Sequence, residues 1–294
     1  MPLWAILSIL AGFFVALSDA LNKKYLSSQG AYVMLFARTF GSLPFLIPVF
    51  LYFLLTKKAL AFFTPSFLLV VSLLLSLEMI ATVFYMKGIK ASPLSASLPF
   101  LSFTPVFVVL TGYLILGERV SHAGFAGILL IVLGSYFIHL PERKSLFDPF
   151  FRIYKEKGSR YLLITAFIYG ITSVLGKKAL LLSEPVFFAS FYFSALGIAG
   201  LIFAKAFGGI RASELCRTSL REVLLVGGTQ ALMCLCHMLA LSLVETAYMI
   251  ALKRTSILFA VILGYLFFQE RYISFRLTGA FLMLLGVVII TFGK

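Results

Sequence analysis

The sequence predicts an all-α membrane protein with ten transmembrane helices in two inverted five-helix repeats. Three observations predict this fold. The chain of 294 residues is 61% hydrophobic and only 12% charged, against about half apolar and about a quarter charged in a soluble domain. Its apolar residues fall into ten runs of about the ~20 residues a membrane helix needs. The third observation is that its two halves resemble each other.

Charge clusters, glycines and prolines delimit the runs at 3–25, 32–55, 66–87, 93–115 and 122–140, then 160–182, 186–205, 222–243, 246–267 and 273–292. The connections are short except for 141–159, which is charged and contains Pro141 and Pro149. It is read as a linker between a first repeat at 1–140 and a second at 160–294. The formal charge of +14 does not point to nucleic acid, because no stretch is long and polar enough to form a solvated basic domain. Three cysteines, Cys216, Cys234 and Cys236, are too few and too oddly spaced for a disulfide framework. Cys234 and Cys236 point to different faces of a helix, so they read as packed thiols and not as metal ligands. Met1 to Trp4 lacks the basic start of a signal peptide.

The repeat is visible residue by residue. GYLILGER at 112–119 returns as GYLFFQER at 264–271, an offset of 152, and at that offset Gly127 matches Gly279 and Gly134 matches Gly286. Lys23 and Lys24 match Lys177 and Lys178 at an offset of 154. Five spans per copy is an odd number, so the second copy enters the membrane from the opposite side. Inverted repeats of this kind recur in secondary transporters. The doubled motif with its trailing glycines resembles the end of an EamA domain, present twice, of the drug/metabolite transporter superfamily. The resemblance covers nearly the whole chain. It implies ten helices and a central substrate cavity lined mainly by helices 1, 3, 4, 6, 8 and 9. It does not imply a substrate, since that superfamily carries amino acids, sugars, nucleotide sugars and phosphorylated metabolites.

Lysine and arginine fix the expected orientation. Sixteen lie in or beside loops on the side opposite Met1, and six lie on the side of Met1. The positive-inside rule places the richer side in the cytoplasm and both termini outside, in the inner (plasma) membrane. The nucleotide-sugar branch of the superfamily keeps its termini cytosolic; the charges of this chain argue otherwise.

Ionisable groups within spans are costly, about 2.5–3.5 kcal/mol each on insertion scales, and mark cavities or partners. The third span carries Glu78, Thr82 and Tyr85 on one helical face, and the eighth carries Gln230, Cys234 and His237 at the same spacing and the offset of 152. Both stripes are expected to line the cavity; interhelical hydrogen bonds away from any substrate are the other reading. The ninth span holds Lys253, Arg254, Thr255 and Ser256 about eight residues into an apolar run. Arginine offers a planar fork for phosphate or carboxylate, and lysine a compact charge. The pair is similar to that of the plastid sugar-phosphate translocators, where it holds the substrate phosphate. This chain lacks their further lysine in span 4, offering only Ser95, Ser97, Ser102 and Thr104 around Pro99 and Pro105. The alternative is an internal ion pair with Glu78 or Asp19. Thr255 and Tyr248, on the same span, complete the candidate substrate-binding set of Lys253, Arg254, Glu78, His237, Tyr85 and Gln230.

Asp19 and Glu78 are the membrane carboxylates that can carry a coupling proton; for Asp19 a structural pairing with Lys23 weighs equally. Arg38 reads as an interfacial residue holding backbone carbonyls, and Glu118 and Glu270 as structural caps. No enzyme emerges. His122, His139 and His237 have no metal-ligand spacing, and 170–178 departs from a phosphate-binding loop in both spacing and its last residue. The expected function is therefore a secondary active transporter of a small polar or anionic metabolite, phosphate- or carboxylate-bearing, with no cofactor and no catalytic or metal site. Its expected partners are that small molecule, the lipid bilayer and protons as a candidate coupling ion, with no nucleic acid. Export of amino acids or related metabolites is the alternative. A membrane scaffold or lipid-modifying enzyme is the alternative of a different class.

Overall fold

In lipid every backbone N–H and C=O must find a partner within the chain, and an unbroken apolar run meets that demand as a helix. The computed structural model describes residues 1–56, 59–91, 98–138, 157–208, 219–268 and 276–293, and these contain helices and no strands. Twelve α-helices follow in order: α1 Leu3–Leu26, α2 Ala31–Thr39, α3 Leu43–Leu55, α4 Pro65–Ala91, α5 Thr104–Leu116, α6 His122–Ile138, α7 Lys157–Leu181, α8 Pro185–Gly208, α9 Leu220–Leu243, α10 Thr246–Lys253, α11 Ser256–Phe268 and α12 Arg276–Phe292. They group into ten rods, because α2 and α3 form one interrupted rod and α10 and α11 another. Seven rods are long and apolar enough to cross a membrane, and the three ending at Leu116, Phe137 and Phe292 are shorter. The sixth rod begins at Lys157, three residues inside the segment read from sequence as linker. Large apolar side chains such as Leu69, Leu114, Leu266 and Phe281 stand outward with more than 60% of their surface exposed, the arrangement lipid favours and water penalises.

The interruptions have local causes. In the second rod the chain tightens into a 3₁₀ turn at Phe40–Ser42 before Pro44 and Pro48, neither of which has an N–H to give the ladder. The fourth rod starts as a 3₁₀ segment, Leu98–Phe103, ahead of Pro105. There the Thr104 hydroxyl donates to the Leu101 carbonyl at 2.6 Å, the acceptor that proline leaves open. In the ninth rod no proline is present. Instead Thr255 directs both its N–H, at 3.0 Å, and its hydroxyl, at 2.8 Å, to the Leu252 carbonyl, and the α ladder gives way to tighter i→i+3 bonds. The half-helices after the fourth- and ninth-rod breaks, Thr104–Leu116 and Ser256–Phe268, are both 13 residues long and lie 152 residues apart, the offset of the sequence repeat.

Packing repeats the same symmetry. The first rod lies against the eighth and ninth; the sixth lies against the third and fourth; the second meets the seventh, the fourth the ninth, and the fifth the tenth. Exchanging each rod with the one five places on leaves this pattern unchanged. The motif glycines explain the last contact. A β-carbon on Gly134 would sit 2.5 Å from the Gly279 carbonyl oxygen, and one on Gly286 would sit 2.6 Å from that of Gly127, so α6 and α12 cross backbone to backbone. A tighter approach joins the 3₁₀ turn of the second rod to α9, where a β-carbon on Gly227 would fall 1.9 Å from the carbonyl carbon of Gly41. Gly227→Ala is expected to cost roughly 1–3 kcal/mol at the least through overpacking. Thermal unfolding in detergent measures it, and an unchanged midpoint would mean that these elements part freely.

Candidate functional site

The stripes of the third and eighth spans converge on one central cavity of about 130 Å³. A water needs ~10–15 Å³ of such volume, so the space suits a small metabolite of on the order of ten water molecules' bulk and not a lipid. Its wall includes Asp19 of α1, Arg38 of α2, Glu78, Thr82 and Tyr85 of α4, Tyr169, Thr172 and Ser173 of α7, Tyr192 of α8, Gln230 and His237 of α9, and Lys253 and Arg254 at the α10 end. Helices of the second and seventh rods thus join those expected from the resemblance.

The break in the ninth rod sets the cationic pole. Lys253 is the last residue of α10, Arg254 is its C-cap, and α11 restarts at Ser256. The tighter turn there lets both side chains face the cavity. A helix C-terminus also favours cations electrostatically. Lys253 Nζ lies within hydrogen-bond distance of His237 Nδ1, at 2.8 Å. Arg254 Nε is buried and has no hydrogen-bond partner among the described residues. Neither cation makes an ion pair with a carboxylate among the described residues.

The carboxylates are arranged differently. Asp19 pairs with Arg38 Nη1 and accepts the Tyr85 hydroxyl at 2.5 Å, while the Arg38 guanidinium lies over the Tyr85 ring at 5.0 Å from its centre. This corrects two expectations. Arg38 is 7% exposed and on the cavity wall, not at the interface, and Arg38, not Lys23, is the partner of Asp19. The reason is the short loop between α1 and α2, which brings two residues equidistant from it to one depth. Glu78 faces the same cavity, within electrostatic reach of Lys253 and Arg38 and next to Thr172.

Of the sequence-proposed residues, Glu78, Tyr85, Gln230, His237, Lys253, Arg254 and Asp19 meet at the cavity. Tyr248 and Thr255 do not. The Tyr248 hydroxyl accepts the Ser121 N–H at 2.9 Å and donates to Ser121 Oγ at 3.2 Å, while its ring packs on Gly124, so it ties α10 to the start of α6. Thr255 is spent on its own backbone. Cys234 is buried behind the wall, 3.7 Å from Gln230 Nε2. Ser102 pairs with Ser135 and Thr104 with the backbone, so neither reaches the cavity; Ser95 and Ser97 lie outside the described residues. Glu118 caps α10, accepting the N–H and the hydroxyl of Thr246 at 3.0 Å each, whereas Glu270 lies outside the described residues. Among the described residues no three His, Cys, Asp or Glu side chains form a group able to hold a metal ion.

The architecture has close counterparts among known proteins. A solved crystal structure superposes with a TM-score of 0.67 over 98% of this chain and 95% of its own, at 15% identity, which bears on the fold. The family model of EamA-like transporters matches residues 2–140 and again 156–292. The chain belongs to the EamA-like transporter family. Each matched segment carries one copy of the glycine-bearing motif, so in this EamA-like protein the two copies of the family model coincide with the two sets of five rods. A curated relative from Archaeoglobus fulgidus, described as an uncharacterized transporter, is 27% identical over 227 residues, 76% of each chain.

Proposed function

We propose that this EamA-like protein is a secondary active transporter that moves a small anionic metabolite, phosphate- or carboxylate-bearing, by alternating access between two inverted five-helix halves. One observation carries the reading: two adjacent cations at a broken helix face a central cavity, with no carboxylate among the described residues in ion-pair contact. Broken helices near the midplane are where transporters of inverted-repeat design hold their substrates. Lys253 and Arg254 are the anion ligands, with Tyr85, Gln230 and His237 shaping the pocket. Glu78 is the proton-coupling candidate, because Asp19 is already engaged twice.

The test is uptake into proteoliposomes with and without an imposed pH gradient. Glu78→Gln is expected to abolish gradient-driven accumulation while leaving exchange of preloaded anion; gradient-driven accumulation at the wild-type level removes the proton proposal. The orientation is proposed from the charges, with Met1 outside and 141–159 cytoplasmic in the inner membrane. Single cysteines placed in 141–159, in a background free of other accessible thiols, are expected to resist an impermeant reagent in intact cells. Ready labelling would invert the assignment.

A further inference from the structure

The cavity wall contains polar atoms that the protein itself leaves unpaired. The Tyr192 hydroxyl, on a residue 2% exposed, and Gln230 Oε1, on a residue 7% exposed, have no hydrogen-bond partner among the described residues, and both residues line the cavity. Buried polar groups are almost always paired, so orphans on a cavity wall are places where an ordered water or a ligand completes the bonding. The Gln230 amide makes one contact, to Cys234 Sγ, and its two ends are interchangeable in assignment. Either way round, one end of this wall residue is left without a partner among the described residues. Tyr192 lies within electrostatic reach of Cys234, which Gln230 contacts at 3.7 Å, so the two orphans form one neutral polar pole of the wall.

Charge decides what that pole takes. With ordinary ionisation the described wall holds Arg38, Lys253 and Arg254 against Asp19 and Glu78, one cation in excess. Net charge buried in a membrane is costly. A monoanion cancels the excess; a zwitterion leaves it, and its ammonium would add a further cation near Lys253. A hydroxyl brings no charge, and it both donates and accepts, so it satisfies Gln230 in either orientation and Tyr192 as well.

Building on the transporter reading above, we propose that the substrate is a small hydroxylated monocarboxylate, its carboxylate held at Lys253 and Arg254 and its hydroxyl at Gln230 and Tyr192. Equilibrium binding to the purified full-length protein in detergent tests this with three probes on one carbon skeleton: glycerate, propionate and serine. Glycerate is expected to bind at least tenfold more tightly than either of the others, about the effect of one to two buried hydrogen bonds. In Tyr192→Phe and Gln230→Leu the glycerate-to-propionate ratio is expected to fall toward one. Because both ligands read only folded protein, the ratio is insensitive to lost stability. Serine binding as tightly as glycerate, or a ratio unchanged in both variants, overturns the proposal. Equal binding of glycerate and propionate overturns it while leaving the anion-transport reading intact; absence of binding by any probe, and of anion uptake in proteoliposomes, removes both.

Discussion

Arg254→Gln is expected to weaken anion binding by roughly ten- to a hundredfold while changing thermal stability little. The affinity loss follows from removing a charge-assisted hydrogen bond, about 1.5–3 kcal/mol, and every 1.4 kcal/mol or so is tenfold. The small effect on folding follows from geometry. Arg254 Nε has no hydrogen-bond partner among the described residues, so its removal breaks no bond at that atom and relieves the cost of an unpaired buried donor. Lys253→Gln differs, because it also removes the partner of His237 Nδ1, and it is expected to lower both affinity and stability. Combining Lys253→Gln with Glu78→Gln separates ligand from structural partner. If the double change restores stability and no variant alters affinity, the cations belong to an internal charge network and not to a binding site.

Arg38→Gln is expected to destabilise the fold by about 3–5 kcal/mol, the cost of leaving one member of a buried ion pair uncompensated. Among the described residues Asp19 would retain the Tyr85 hydroxyl alone for a charge at 7% exposure. Adding Asp19→Asn removes that stranded charge, so the double variant is expected to recover most of the loss. Detergent unfolding midpoints of the two single variants and the double give the coupling directly. Additive losses would mean that the pair is not a unit and that Arg38 serves the substrate instead.

The rods were legible because their cause is one-dimensional: an apolar run of fixed length needs no knowledge of its neighbours. The observed α4 overshoots the expected 87 by four residues, since Lys87 and Lys90 still sit on a helix that reaches Ala91. The cavity stripes were legible for a related reason, as period and offset both repeat. Arg38 was misread because its role depends on a partner in another rod. A usable signal existed: Asp19 lies seven residues before the end of α1 and Arg38 seven after the start of α2, so a tight hairpin sets them level. Tyr169 and Tyr192 offered no such cue, being two tyrosines among 13. Tyr248 was placed with the cations because it shares their span, but five residues of helix rotate and raise it to the end of the rod.

The division of charge between the halves bears on the empty carrier. With ordinary ionisation Asp19, Arg38 and Glu78 give the first half one net negative charge at the cavity, and Lys253 and Arg254 give the second half two positive ones. Without cargo the halves are drawn together across a medium of low dielectric, where such attraction is strong. On the transporter reading proposed above, an anion seated at the broken helix would screen that attraction from within, so cargo would act as a release for a self-latched pair of shells. On that same reading a carrier built this way would resist cycling while empty and would favour trading one anion for another over letting the gradient leak.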